Sequence, residues 1–182
     1  IDEDEHCVTF LSSTRNSPLP ERLNIGPGGP IPTKVLREAL YRFADDIIGE
    51  NHSYKAIEAL LRQELPRVKG HSPGDAVIMD INDPLSQIIG AVANLDQSYL
   101  FIQGPPGSGK TWTGAHVIVE LLRRGFRIGV SSNSHKAINN LLASIERVAG
   151  EKGATFYGAK KSVPDREDSM FNGKIIEDVF SN

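Results

Sequence analysis

The residues best suited to chemistry lie near the middle of the chain, where residues 104–111 read Gly-Pro-Pro-Gly-Ser-Gly-Lys-Thr. This segment matches the pattern G-x-x-x-x-G-K-[ST], in which a loop surrounds a chain of phosphates with backbone N–H groups. Gly107 and Gly109 remove side chains that would block the phosphates, and they allow a positive φ. The helix expected to begin near Lys110 adds the positive end of its dipole. The segment therefore predicts a phosphate-binding loop.

Two side chains of this motif suit a bound triphosphate and its metal ion. Lys110 supplies a positive charge between the β- and γ-phosphates, and the hydroxyl of Thr111 is placed to bind Mg²⁺. These two residues are therefore the predicted catalytic residues. The remaining residues of the predicted nucleotide site form the loop itself: Gly104, Pro105, Pro106, Gly107, Ser108 and Gly109.

Strands and helices alternate in the predicted structure around this loop. Residues 99–102 are a short apolar run, which is typical of a strand buried on both faces. Residues 110–124 form an amphipathic helix that Gly125 ends. The later predicted elements are a strand over 126–130, a helix over 135–149 that Ser134 caps and Gly150 and Gly153 end, and a strand over 155–157. Because this alternation implies right-handed crossovers, the predicted fold class is α/β with a parallel P-loop sheet that is incomplete.

The first 80 residues contain no chemical motif that we identify. Residues 6–11 could form a short strand, and the prolines and glycines of residues 18–32 predict a long surface loop. The further elements predicted before the phosphate loop are helices from Thr33 to Gly49, over 53–65 and over 84–95, a linker over 67–74 and a short strand over 76–81. We therefore divide the chain into a mainly helical and loop-rich connecting segment, 1–80, and the first part of a P-loop domain, 81–182.

Composition limits the class of protein. The chain has 182 residues, of which 39% are hydrophobic and 24% charged, so a packed core is expected. No apolar run approaches the roughly 20 residues that span a bilayer, and the acidic start is no secretory signal. We therefore expect a cytoplasmic protein without a membrane partner. The single cysteine, Cys7, excludes a disulfide within the chain, and the net charge of −3 does not by itself indicate nucleic-acid binding.

Hydrolysis requires acidic residues that this sequence does not offer in the usual pattern. A P-loop hydrolase places Asp and a second acid after a run of about four apolar residues. The nearest match is Ile-Ile-Glu-Asp at 175–178, which has only two apolar residues. The short apolar segment 175–180 fits either a helix or a strand, and we interpret Glu177 and Asp178 as members of a solvated helix face. Since the chain also lacks an initial methionine, we expect a piece of a longer protein that is inactive alone.

Residues 99–111, Tyr-Leu-Phe-Ile-Gln-Gly-Pro-Pro-Gly-Ser-Gly-Lys-Thr, resemble the first motif of superfamily 1 helicases, which are RecA-like P-loop ATPases. Residues 112–142 are similar to bacterial proteins that join a RecB-like nuclease to such a helicase. The resemblance implies a RecA-like domain that binds ATP and Mg²⁺ and acts in DNA repair or recombination. It also implies movement along single-stranded nucleic acid, expected to be DNA, and a second RecA-like domain as partner.

The resemblance assigns roles to residues outside the loop. It implies that Gln87 reads the adenine edge, for which an amide has both a donor and an acceptor. It implies that the turn at the start of the helix predicted over 135–149 contacts the nucleic-acid backbone. The residues of this turn are Ser132, Asn133, Ser134, His135 and Lys136. A helix cap without ligand contacts is the alternative for that turn. For Trp112, core packing is expected in preference to base stacking.

Other classes of protein remain open at this stage. An AAA+ ATPase or another P-loop NTPase also uses this loop, although AAA+ proteins place their second acidic motif nearer to Lys110 than the end of this sequence. A non-catalytic nucleotide-binding module and a small kinase are further alternatives. The sequence following Asn182 would separate them, because a helicase requires an apolar run ending in Asp-Glu.

Overall fold

A computed structural model describes residues 33–164 and 166–180. The chain divides into two units, Ile1–Arg42 and Phe43–Asn182. The strand predicted over 6–11 and the loop predicted over 18–32 lie outside the described residues. The division predicted after residue 80 stays a prediction.

The first two helices are α1, Lys34–Ile48, and α2, Lys55–Leu61. At the end of α1, the Gly49 N–H donates to the Asp45 carbonyl at 2.9 Å. Helix α2 is shorter than the predicted 53–65. Gln63 has a φ of 55°, in the left-handed region, and a residue in that conformation ends the helix before Pro66.

Residues 64–69 are attached to the segment that leads to the phosphate loop. Val68 pairs with Leu95 in an antiparallel bridge, and the Asp96 N–H donates to the Arg67 carbonyl at 2.9 Å. The Tyr99 hydroxyl donates to the Glu64 carbonyl at 2.8 Å. The first part of the predicted linker over 67–74 is therefore hydrogen-bonded to the segment 94–99.

Three helices form the core around the predicted site: α3, Pro84–Ala93; α4, Lys110–Arg123; and α5, His135–Lys152. Helix α4 is central because it has two apolar faces. Ala115 and Val119, both fully buried, pack with α5, whereas Val117 and Leu121 pack against Ile89 of α3. The partners on α5 are Leu142, Ile145, Val148 and Ala149. The body of α4 is thus fixed on both sides while its first turn stays exposed.

The ends of two helices differ from the sequence-based prediction. Helix α3 stops at Ala93, two residues before the predicted end. Helix α5 extends to Lys152, past the predicted end at 149, and includes Gly150, one of the two glycines predicted to end it. Gly153, the other glycine predicted at this end, ends the helix because it adopts a left-handed φ of 59°.

The strands are fewer than predicted among the described residues. Strand β1, Gly158–Ser162, pairs in parallel with β2, Ile176–Phe180, in a register that places Gly158 opposite Ile176. The parallel arrangement is confirmed for this pair, although β1 begins after the predicted 155–157. The segments 76–81, 99–102 and 126–130 form no strand. An apolar pattern alone does not make a strand, which requires a hydrogen-bonded neighbour.

The segment 99–102 before the loop was also predicted to be buried on both faces, and this is wrong. Phe101 is 74% exposed and Ile102 is 45% exposed. The apolar residues of this segment therefore lie outside the two packed core clusters. In the part of the chain that the structure describes, no helix combines the length and the apolar character that crossing a membrane requires.

Candidate phosphate-binding site

The loop of residues 104–111 has the backbone that a phosphate cradle requires. Gly107 and Gly109 have φ values of 82° and 83°, in the left-handed region that favours glycine. A Cβ built at either position meets no atom within 4 Å. The need for glycine at these positions therefore comes from the backbone conformation, and the space beside them is open.

Four N–H groups of the loop are available to a ligand. Over residues 33–164 and 166–180, no acceptor receives a hydrogen bond from the N–H of Gly107, Gly109, Lys110 or Thr111. Gly107 and Gly109 precede α4, and Lys110 and Thr111 are its first two residues. The helix dipole places partial positive charge at this end. Because the donors are at the surface, water can solvate them when no ligand is bound. The arrangement is suited to an anion with several oxygens.

The first half of the loop is held by close contacts. The Ser108 N–H donates to the Pro105 carbonyl at 3.2 Å, which closes a tight turn. A Cβ on Gly104 would collide with the Ser108 side chain, whose own Cβ lies 3.2 Å from that position. Gly104 is therefore required for the close approach of Ser108.

The Lys110 side chain folds over the loop. Its ammonium group donates to the carbonyls of Gly104 and Pro105, the second at 2.8 Å, and the side chain is exposed. The charge is therefore already held at the loop, where a phosphate could take over one or both of these hydrogen bonds. Thr111, the next residue, is exposed in the first turn of α4.

Trp112 does not pack in the core as predicted, because 47% of its surface is exposed. One face of the indole lies against the ring of His116, with centroids 4.0 Å apart and an angle of 37° between the planes. The His116 ring is buried, and its Nδ1 donates to the Trp112 carbonyl at 2.9 Å. The hydrogen bond fixes the histidine beneath the indole.

Gln87 is placed by its own loop. Its Oε1 accepts from the N–H groups of Met79 (2.7 Å) and Asp80 (3.0 Å). Its Nε2 donates to the carbonyls of Asp80 (2.7 Å) and Asp83 (2.8 Å). These four bonds use the full capacity of the side-chain amide and organise residues 79–83, a role that the sequence did not predict. Contact with adenine stays a prediction.

The turn before α5 has the predicted helix cap. Ser134 Oγ accepts from the Ala137 N–H at 3.4 Å, and Ser132 Oγ accepts from the Ser134 N–H at 3.3 Å. Ser132, Asn133 and Lys136 are exposed, whereas His135 is half-buried. The structure thus brings the five predicted nucleic-acid residues together at one helix N-terminus, and their binding role stays a prediction.

The acidic residues near the end of the chain lie on a strand, so their interpretation as a solvated helix face is wrong. Glu177 is exposed on β2. Asp178 accepts hydrogen bonds from the N–H groups of Phe171 and Asn172 and from the Ser162 hydroxyl. Burial raises the pKa of Asp178, but these hydrogen bonds and the nearby Lys160 charge outweigh it and leave the pKa below the ordinary value. Asp178 therefore stabilises the fold.

A buried lysine completes this cluster and was missed in the sequence. Lys160 is 5% exposed, and its ammonium group donates to Ser162 Oγ at 3.0 Å and to the Ser169 carbonyl. Lys160 and Ser162 are two residues apart on β1, so both face the same side. That spacing was the signal available in the sequence, but it is common on exposed strands.

A second carboxylate is also bound by the backbone. Glu146 of α5 accepts from the N–H groups of Lys174 (3.0 Å), Ile175 (2.7 Å) and Ile176 (2.9 Å). Burial raises the pKa of Glu146, but the three N–H groups outweigh this effect and hold the pKa below its ordinary value. This carboxylate connects α5 to the start of β2.

The described residues offer no ready-made metal centre, because no three His, Cys, Asp or Glu side chains among them converge. A Mg²⁺ ion at the loop would therefore take its ligands from phosphate oxygens, water and Thr111. This donor set suits Mg²⁺, which retains waters and is usually bound with a substrate phosphate.

Comparison with known proteins gives one partial similarity. Over 66 residues, or 36% of this chain, the sequence is 36% identical to the signal recognition particle 54 kDa protein of Aeropyrum pernix, and the match covers 14% of that protein. No protein-family model and no solved structure matches the chain. The similarity supports a relationship to P-loop NTPases and does not extend to a particular class such as the helicases.

Proposed function

We propose that residues 104–111 bind the phosphates of a nucleoside triphosphate, with ATP as the nucleotide. The observation that supports this most is that the N–H groups of Gly107, Gly109, Lys110 and Thr111, at the start of α4, have no acceptor among the described residues. A triphosphate brings oxygens that accept from all of these donors at once, and the helix dipole favours its negative charge. Lys110 then contributes a charge that no neutral loop could supply.

Mg²⁺ belongs to the same proposal. Thr111 would provide a hydroxyl ligand from the first turn of α4, and the phosphates would provide the others. When bound, the ion neutralises part of the triphosphate charge. Residues of this chain bind and orient the nucleotide, while the acid that activates water is not among those we assign.

The wider proposal is that this site belongs to a superfamily 1 helicase that acts in DNA repair or recombination. The support is the motif over 99–111, which runs into the first turn of α4, and the turn over 132–136, which runs into the first turn of α5. In this proposal, residues 132–136 contact single-stranded DNA, and a second RecA-like domain closes on the nucleotide.

The phosphate proposal is tested with Lys110→Ala in the 182-residue chain. Titration calorimetry measures binding of Mg²⁺–ATP and of Mg²⁺–tripolyphosphate, which has the phosphates without the nucleoside. Loss of a charge-assisted hydrogen bond costs about 1.5–3 kcal/mol, so both affinities should fall about 10- to 150-fold. Lys136→Ala is the matched control, since Lys136 is an exposed lysine in the first turn of α5.

Two results would refute this proposal. Wild-type protein that binds neither ligand at millimolar concentration has no phosphate site in this loop. Equal affinities for wild type and Lys110→Ala would show that binding occurs elsewhere.

The nucleic-acid proposal is tested with the same two variants and a labelled oligothymidylate. Lys136→Ala should weaken binding and reduce the slope of log affinity against log salt by about 0.7, the value for one phosphate contact to a single strand. Lys110→Ala should leave that slope unchanged. An identical slope in wild type and Lys136→Ala would remove Lys136 from the proposed DNA surface.

A further inference from the structure

The single tryptophan of the chain directly follows the last residue of the phosphate loop. Trp112 is 47% exposed although large apolar side chains are usually buried, and it belongs to the first turn of α4. An exposed indole beside a phosphate cradle is an aromatic surface that a nucleobase could cover.

The direction of the indole follows from helix geometry. Side chains of an α-helix lean toward its N-terminus, so Trp112 leans toward the loop that precedes α4. His116, one turn later, lies against the indole at 4.0 Å between ring centroids. The histidine thus occupies the face that looks along the helix toward its C-terminus, and the opposite face is left toward the phosphate loop.

The support beneath the indole is rigid. His116 is 8% exposed and is held by its hydrogen bond to the Trp112 carbonyl, on a helix that is packed on two sides. A base that stacks on Trp112 would therefore order little of the protein. Pre-organisation of this kind increases affinity because less conformational entropy is lost on binding.

Recognition of the base through hydrogen bonds from Gln87 is less favourable than stacking. The amide of Gln87 already makes four hydrogen bonds to residues 79–83, and contact with adenine would require some of them to break. Stacking has no such cost, and it accepts any base because every base has a π-face.

We propose that the exposed face of Trp112 stacks on the base of the nucleoside triphosphate whose phosphates lie in the loop of residues 104–111. This inference rests on the proposed phosphate site and extends it to the base. It implies selection by ring size: purine nucleotides bind more tightly than pyrimidine nucleotides, and ATP and GTP differ by less than about tenfold.

The experiment compares wild type, Trp112→Phe and Trp112→Leu by titration calorimetry of the 182-residue chain. The ligands are the Mg²⁺ complexes of ATP, GTP, UTP and tripolyphosphate. From the strength of base–aromatic stacking, Trp112→Leu should weaken the affinities for ATP and GTP about 5- to 150-fold and leave that for tripolyphosphate within twofold. Trp112→Phe keeps an aromatic ring and should retain most of the affinity.

Tryptophan fluorescence provides a second measurement, because Trp112 is the sole tryptophan. ATP and GTP should quench it, whereas tripolyphosphate should leave it nearly unchanged. Unchanged ATP affinity in Trp112→Leu would overturn the proposal. So would an ATP preference above 100-fold that Gln87→Leu abolishes, since this would assign selection to hydrogen bonding.

Two further results separate this inference from its basis. Quenching by oligothymidylate without nucleotide, and none by ATP, would assign Trp112 to a nucleic-acid site and overturn base stacking. If the wild type binds neither tripolyphosphate nor ATP, the phosphate site itself is refuted. Loss of ATP affinity in Trp112→Leu with tripolyphosphate binding retained supports both.

Discussion

Two lysines, Lys110 and Lys160, each lie at the centre of a polar cluster, and the clusters differ in what remains unpaired. Lys110 belongs to the loop cluster, residues 104–111, where the ammonium group donates to two carbonyls while four neighbouring N–H groups have no acceptor in the described part of the chain. Lys160 belongs to the buried cluster, which consists of Lys160, Ser162, Ser169 and Asp178. Its donors and acceptors are bonded to one another.

This difference has a physical cause. A buried polar group without a partner costs free energy, so a buried cluster that stabilises a fold must be satisfied within the protein. Exposed donors are solvated by water and can remain available to a ligand. Free donors at the surface, more than the presence of charged residues, therefore identify the candidate binding site, and the acids near the end of the chain belong to stability.

The largest expected effect comes from removing the carboxylate of the buried cluster. Asp178→Ala leaves the N–H groups of Phe171 and Asn172 without their acceptor and Lys160 without its nearby negative charge. Hydrogen bonds to charged groups contribute about 1.5–3 kcal/mol, so the free energy of unfolding should fall by about 2–3 kcal/mol. Urea denaturation measures this loss.

Glu177→Ala is the matched control, because Glu177 is the exposed neighbour on the same strand. It should change the unfolding free energy by no more than about 0.5 kcal/mol. Comparable losses in the two variants would contradict the distinction between a hydrogen-bonded structural carboxylate and a solvated one.

A smaller loss of unfolding free energy is expected at Glu146. Its carboxylate accepts from three backbone N–H groups and, among the described residues, forms no salt bridge. Glu146→Gln keeps the shape but removes the charge, and one of its amide atoms becomes a donor facing N–H groups. Hydrogen bonds to charged groups contribute about 1.5–3 kcal/mol, and we expect a loss near the lower end. Glu151→Gln, an exposed change on the same helix, should have little effect in the same urea experiment.

The two structural carboxylates also predict acid sensitivity. The pKa of each lies below its ordinary value, 3.8 for Asp178 and 4.5 for Glu146, so the unfolded chain binds more protons than the folded one between the two states' pKa values. Their stabilisation is therefore complete above the ordinary values and is lost as the pH falls through the lower, folded values. Each contributes a slope of at most about 1.4 kcal/mol per pH unit.

Urea midpoints measured from pH 6 to pH 3 test this. The wild type should lose stability as the pH falls below about 5, and Glu146→Gln should lose less over the same range, because one of the two groups no longer titrates. Equal slopes in the two proteins would show that the carboxylate of Glu146 has the same pKa in the folded and unfolded chains.

The loop and its helix could be predicted because the information is local. The spacing of Gly107, Gly109 and Lys110 determines the turn and the start of α4, and the cap at Ser134 was equally readable. The strand over 99–102 was mispredicted because pairing depends on residues distant in sequence. Phe101 is exposed even though its pattern is that of a buried strand.

The buried cluster could not be predicted for the same reason. Ser162 meets Asp178 only because β1 and β2 pair in parallel across an intervening loop. The position of Trp112 also required the structure, since its apolar character indicated the core and its exposure showed otherwise. Local chemistry was thus readable from the sequence, whereas long-range pairing and exposure were not.

The smallest predicted effects are on stability, and they have opposite signs when either of two glycines is replaced by alanine. Gly109→Ala forces a Cβ into a left-handed conformation with a φ of 83° and should destabilise the protein by about 1 kcal/mol. Gly150→Ala lies within helix α5, where a Cβ meets no atom within 4 Å, and should stabilise it by about 0.5–1 kcal/mol. Urea denaturation gives both values, and calorimetry with tripolyphosphate adds that only Gly109→Ala weakens binding. Destabilisation by both variants would contradict the assigned backbone conformations, whereas normal tripolyphosphate affinity in Gly109→Ala would separate the left-handed turn from phosphate binding.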